Sequence, residues 1–312
     1  MTAIQDMLQR ARDGRLADIG RLVSIVENNE PGAMEVIRST FPDTGRAITV
    51  GFTGPPGAGK STLVSILIEA YREIFPRVAV VAVDPSSPFT GGAILGDRIR
   101  MRDSYLDAGV FIRSMSNRGQ SGGLARASRR VVNLLDALGY DVILVETVGV
   151  GQQEIDVVRL VDTVCLLTIP GAGDDIQAIK AGIIEIADLL VVNKCDRPGS
   201  DETVKNLTHM LDLGAPRNDW RTPVVKTSAA KKEGINELIE AVKQHREWSK
   251  CSGEMRKRNA DAMRTELNIL MLERLQEQLA SRVDGDRMNS MIDKVLRKEV
   301  DPYSATEALL ES

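Results

Sequence analysis

The stretch GPPGAGKS, Gly54 to Ser61, constrains the fold of this chain more than any other. It fits G-x-x-x-x-G-K-[ST] in full, follows the apolar run AITVGFT (47–53) and precedes the helical pattern STLVSILIEAYREI. That strand–loop–helix context marks a phosphate loop. Its glycines let backbone N–H groups turn inward around phosphate oxygens. Lys60 can reach the β- and γ-phosphates, and the Ser61 hydroxyl can ligate Mg²⁺. Gly54, Pro55, Pro56, Gly57, Ala58, Gly59, Lys60, Ser61 and Thr62 are therefore the expected phosphate-binding residues.

The surrounding pattern agrees. Short β-rich runs alternate with helical stretches: VAVVAV (78–83), VFIR (110–113), DVILVE (141–146), TVCLLTI (163–169), LLVVN (189–193) and TPVVKTS (222–228). Near-continuous apolar strands separated by helices predict a parallel sheet covered on both faces. The fold class expected is thus a doubly wound α/β P-loop NTPase over 46–248. Residues 1–45 read as short helices, with Leu16, Ile19, Leu22, Val23 and Val26 at helical spacing. Residues 249–312 read as a helical extension: a long helix over 254–282, a second near 286–298, and a third started by Asp301 and Pro302. Met263, Leu267, Met271, Leu275 and Leu279 make an i+4 apolar stripe on the long helix, which suits self-association.

Composition narrows the function classes. Of 312 residues, 43% are hydrophobic, enough for a core, and the formal net charge of −4 gives no global field for nucleic acid or an anionic membrane. No apolar run is long enough for a membrane span. The N-terminus carries Asp6, Asp13 and Asp18 and no apolar leader, so a cytoplasmic protein is expected. Cys165, Cys195 and Cys251 are far apart and form no CxxC, which argues against a disulfide framework or zinc site.

NKCD, Asn193–Asp196, follows the strand LLVV. The Asp196 carboxylate can accept from guanine N1–H and the 2-amino group, which adenine cannot supply. Asn193 can contact the base edge and tether the phosphate loop, and the Lys194 stem can cover the ring. Ser228, Ala229 and Ala230 follow the last strand, where a backbone N–H can meet guanine O6. In order after a phosphate loop, at the strand edge where such folds bind ligands, this selects GTP. Glu146 ends the strand between those motifs, where a γ-phosphate sensor belongs, and the Gly149 N–H can meet the γ-phosphate. No Gln directly follows Gly149; Gln152 is three residues on. Asp84 ends a strand, and Asp97 lies thirteen residues later across a Pro/Gly-rich loop. With Ser61 and Glu146 these carboxylates form the expected Mg²⁺ set, acting mostly through water. Lys60, Asp84 and Glu146 are the catalytic candidates.

On these blocks, with VDPSSPFTGGAILGDRIRM, FIRSMSNRGQSGGLA, ETVGVGQQEIDV and IPGAGDDIQAIKAGI, the chain resembles the methylmalonyl-CoA mutase-associated GTPases. The likeness runs from the N-terminal helices to the DPYSA tail. It implies a homodimeric GTPase that gates adenosylcobalamin loading from an adenosyltransferase onto a B12-dependent acyl-CoA mutase and protects that mutase. It also implies that Asp174 and Lys180, in PGAGDDIQAIK, belong to a switch coupling nucleotide state to the mutase. Three alternatives stand beside it: a nickel-type metallochaperone GTPase, which would need a CxxC or His-rich loop; an ATPase or kinase of a basic amino-acid transport system, against which NKCD argues; and a non-hydrolysing GTP-dependent scaffold.

Overall fold

The computed structural model describes residues 2–84, 107–116, 123–147, 160–171, 186–213, 219–282 and 285–310. Its seven strands are β1 (Ile48–Thr53), β2 (Val78–Asp84), β3 (Val110–Ser116), β4 (Val142–Thr147), β5 (Thr163–Thr168), β6 (Leu189–Val192) and β7 (Val224–Lys226). They form one sheet in the order β3-β2-β4-β1-β5-β6-β7, and every pairing is parallel. Among the described residues each of the seven expected strands is observed, and the doubly wound P-loop fold is confirmed.

Both faces of the sheet are covered, which is why the strands read as unbroken apolar runs. On one face Val50, Phe52, Leu144, Cys165 and Leu167 pack with α4 (Lys60–Ile74) and α7 (Ile235–Cys251). On the other, Val81, Val83, Ile143, Val145 and Val164 pack with α1 (Ala3–Arg12), α2 (Leu16–Glu27), α3 (Ala33–Thr40) and α5 (Gly123–Ala137). A smaller core joins Leu166, Leu190 and Val192 to Leu207 of α6 (Ser200–Leu213). Each large apolar side chain buried in this way contributes about 1.5–3 kcal/mol. The expected stripe on α2 is buried at Ile19, Leu22, Val23 and Val26, whereas Leu16, at the helix start, is 38% exposed.

The entrance to β1 is held from two helices. The Asp136 carboxylate of α5 accepts from the backbone N–H groups of Gly45, Arg46 (3.1 Å) and Ala47 (2.8 Å). Arg246 of α7 donates to the carbonyls of Arg46 and Ala47, both at 3.0 Å. These bonds fix where β1 starts, and β1 delivers the phosphate loop at its far end.

Contacts divide the chain into two compact units, Met1–Met255 and Arg256–Ser312. The helices beyond the sheet are α8 (Glu254–Arg282), α9 (Gly285–Leu296) and α10 (Pro302–Leu310). As expected, Asp301 caps α10: its Oδ1 accepts from Tyr303 N at 2.9 Å and Ser304 N at 3.0 Å. On α8, Leu267, Met271, Leu275 and Leu279 of the expected stripe are exposed, as are Ile269, Leu270 and Leu272.

Candidate nucleotide site

Because every strand runs the same way, the ends of β1, β2, β4 and β6 share one edge of the sheet. Gly54–Gly59 after β1, Asp84 at the end of β2, Glu146 on β4 and Asn193–Asp196 after β6 are thereby gathered along that edge. After β1 the chain turns through Gly54–Gly59 into α4. Two glycines there are obligatory. Gly54 has φ +142°, and a Cβ on it would lie 2.3 Å from Leu167 O; Gly59 has φ +89°, and its Cβ would lie 2.5 Å from Asn193 Nδ2. Lys60 is buried at the start of α4, its ammonium donating to Gly54 O (2.7 Å) and Pro55 O (3.1 Å). The loop thus curls around a cation at the positive end of a helix, an arrangement suited to phosphate oxygens. Pro56, Gly57 and Thr62 are exposed and Ala58 is buried.

One residue on, the Ser61 hydroxyl donates to Glu146 Oε1 at 2.6 Å, and both residues are buried. Glu146 stands on β4 opposite Ala82 of β2, two residues before Asp84 closes that strand. A hydroxyl beside a carboxylate, with a second acid at the next strand end, is a hard-oxygen set that fits Mg²⁺ and its waters. Among the described residues no group of three His, Cys, Asp or Glu side chains could hold a metal ion by itself. Asp97, Gly149, Asp174 and Lys180 lie outside the described residues, and Asp84 is described in its backbone alone.

The base motif is locked to the phosphate loop. Asn193 Nδ2 donates to Ala58 O (2.8 Å), and Lys194 Nζ donates to Gly57 O (2.6 Å). Asn193 Oδ1 accepts from Thr227 Oγ1 (3.2 Å) and Ala229 N (3.3 Å). Asp196 is exposed, and its Oδ1 accepts from Ser228 Oγ at 2.6 Å. That hydroxyl holds the Asp196 carboxyl below its ordinary range. Ser228 N donates to Glu233 O at 3.0 Å. With the Ser228 and Ala229 amides turned to these partners, Ala230, exposed on the same turn, is the expected residue left to present an N–H outward. Sequence reading named Ser228 for its backbone N–H and did not name Thr227; the bonds from their hydroxyls to Asn193 and Asp196 are what it missed. Two hydroxyl residues directly after a strand were the available signal.

Three comparisons bear on this geometry. Residues 19–284 match the family described as methylmalonyl Co-A mutase-associated GTPase MeaB. The chain is 46% identical over 311 residues to a Pyrococcus abyssi protein named as a GTPase, covering 99% of this chain and 96% of that one. It is 40% identical over 253 residues to the Escherichia coli GTPase ArgK, covering 77% and 75%. It is 35% identical over 272 residues to the mitochondrial methylmalonic aciduria type A homolog of Mus musculus, covering 84% of this chain and 65% of that one. Among solved structures, one described as a LAO/AO transport system kinase superposes with a TM-score of 0.73 at 28% identity, covering 100% and 98%. Among the described residues no helix is long and apolar enough to cross a membrane.

Proposed function

The chain belongs to the methylmalonyl-CoA mutase-associated GTPase family, and on that premise we propose that it is a GTP-hydrolysing chaperone of a B12-dependent acyl-CoA mutase. Its GTPase activity and guanine-nucleotide binding come with the family. The finer reading is that its nucleotide state gates adenosylcobalamin delivery to a mutase of the methylmalonyl-CoA type, with an adenosyltransferase as the donor. The match over residues 19–284 is the observation that supports this most, because it takes in the phosphate and base motifs together with the segment between them.

In this reading Lys60 and the amides opening α4 draw charge from the β- and γ-phosphates as it builds in the transition state. Ser61 and Glu146, helped by Asp84 and Asp97, would hold Mg²⁺, which supplies charge neutralisation at those phosphates when bound. Asp196 selects guanine, the Lys194 stem covers the ring, and Ala230 N is the donor for guanine O6. Gly149 follows the γ-phosphate, and Asp174 and Lys180 carry its loss to the partner. The exposed apolar stripe of α8 supports a homodimer built on the C-terminal helices of 249–312. The composition supports a cytoplasmic setting.

The experiment is co-elution with purified methylmalonyl-CoA mutase in the presence of GDP and of a non-hydrolysable GTP analogue. A complex whose stability differs between the two is expected. No complex with either nucleotide would remove the mutase from the account.

A further inference from the structure

At the end of the sheet opposite the nucleotide edge lies a polar cluster that hydrolysis does not use. Thr163 opens β5, Asp188 immediately precedes β6, and His245 comes from α7. Their exposures are 0%, 2% and 0%. His245 Nδ1 and Thr163 Oγ1 share a hydrogen bond of 2.9 Å. The other ring nitrogen, Nε2, is 3.3 Å from Asp188 Oδ1, a close polar contact whose geometry falls short of a hydrogen bond. Asp188 Oδ2 accepts from Val164 N at 2.9 Å, and Asp188 O accepts from Trp220 Nε1 at 2.9 Å. The rings of Trp220 and Trp248 lie 5.0 Å and 5.7 Å from the imidazole.

Burying such groups is costly unless they are paired, and an apolar side chain would pack there more cheaply. What the imidazole adds is a hydrogen-bonding atom at each end of one rigid ring. One α7 residue thereby meets both the start of β5, by a hydrogen bond, and the residue that precedes β6, by a polar contact.

That geometry bears on the base. With the residue on either side of it, β6 rises from Asp188 to Asn193, five steps or roughly 17 Å. α7 rises over the ten residues from His245 back to Ile235, roughly 15 Å. Gly234 joins that helix end to the 228–233 turn. Strand and helix are thus two struts of matched length, tied at the top by Ser228–Asp196 and Ala229–Asn193. At the bottom His245 is hydrogen-bonded to Thr163 and in contact with Asp188, whose carboxylate accepts from Val164 N beside Thr163. We propose that His245 is a positioning residue for guanine recognition: through Asp188 and Thr163 it sets the height of α7 against β6, and hence the spacing between Asp196 and the 228–230 turn. This rests on the assignment of 193–196 and 228–230 to the base.

The test compares steady-state hydrolysis of GTP and of ITP, whose base lacks the 2-amino group. H245F keeps a ring but loses the hydrogen bond to Thr163 and the polar atom that faces Asp188. It should raise the KM for GTP about tenfold, while the KM for ITP, with fewer base bonds to misalign, moves by less than about threefold. The kcat should stay within about twofold, because Lys60, Ser61 and Glu146 belong to α4 and β4. H245Q, which restores a donor and an acceptor, should recover part of the preference for GTP. Emission from Trp220 and Trp248, the two tryptophans of the chain, reports whether the cluster is still packed. A packed H245F with unchanged KM for GTP, or with equal rises for both nucleotides, overturns the proposal. If H245F does not fold, T163V and D188N carry the test. A narrowed GTP-to-ITP preference in both supports the proposal, and an unchanged preference in both overturns it. A wild-type protein without any preference for GTP over ITP would instead overturn the base assignment, and the positioning role with it.

Discussion

At Asp196 a single carboxylate carries the choice of base in the account proposed. D196N exchanges an acceptor for a donor, so GTP affinity should fall by about a hundredfold, on the order of 3 kcal/mol, while xanthosine triphosphate gains. Wild-type GTP affinity in the folded mutant would contradict the assignment. The Ser228 hydroxyl sets the pH range over which that carboxylate works. Its hydrogen bond depresses the Asp196 pKa in the folded protein. The associated stability is therefore present above the unfolded pKa of about 3.9 and is lost as pH falls through the lower, folded value. S228A removes the largest cause of the depression, so the acid limb of GDP affinity should move to higher pH. Superimposable GDP titrations between pH 6 and 4 would contradict this. The tether of Asn193 to the phosphate loop was legible in the sequence because four adjacent residues, Asn193 to Asp196, carry the pattern. The Ser228–Asp196 and Lys194–Gly57 contacts were not, because their partners lie 32 and 137 residues apart and no local pattern pairs them.

Elements were legible to the extent that burial is written into them. The strands announced themselves as apolar runs because helices cover both sheet faces, and α10 was announced by its cap and proline. Boundaries moved where pairing decides them. β3 runs on to Ser116 because Asp84 of β2 pairs with it, while β7 shrinks to three residues at the sheet edge. The strand order was not legible, since β4 sits between β2 and β1 through contacts that no neighbouring residues encode. Nor was the tether ahead of β1. D136A leaves the N–H groups of Gly45, Arg46 and Ala47 without their acceptor. It should lower stability by about 3 kcal/mol, read as a lower urea midpoint at unchanged slope. An unchanged midpoint would show that the tether is dispensable.

For the whole molecule, the exposed apolar surface of α8 is the feature that an isolated chain explains least. Charges at L267E and L275E should turn a dimer into monomer, read by sedimentation of the folded double mutant. A dimer that survives places the interface elsewhere, and a monomeric wild type removes it. In the account proposed the same molecule chooses guanine and answers to a partner, and one assay reads both. Hydrolysis of GTP and of ATP is measured with and without methylmalonyl-CoA mutase in excess. The account predicts a GTP preference of about a hundredfold or more, since a site built to hydrogen-bond one base rejects the other strongly, and GTP turnover that rises when the mutase is added. Equal turnover of the two nucleotides, or GTP turnover indifferent to the mutase, would contradict it.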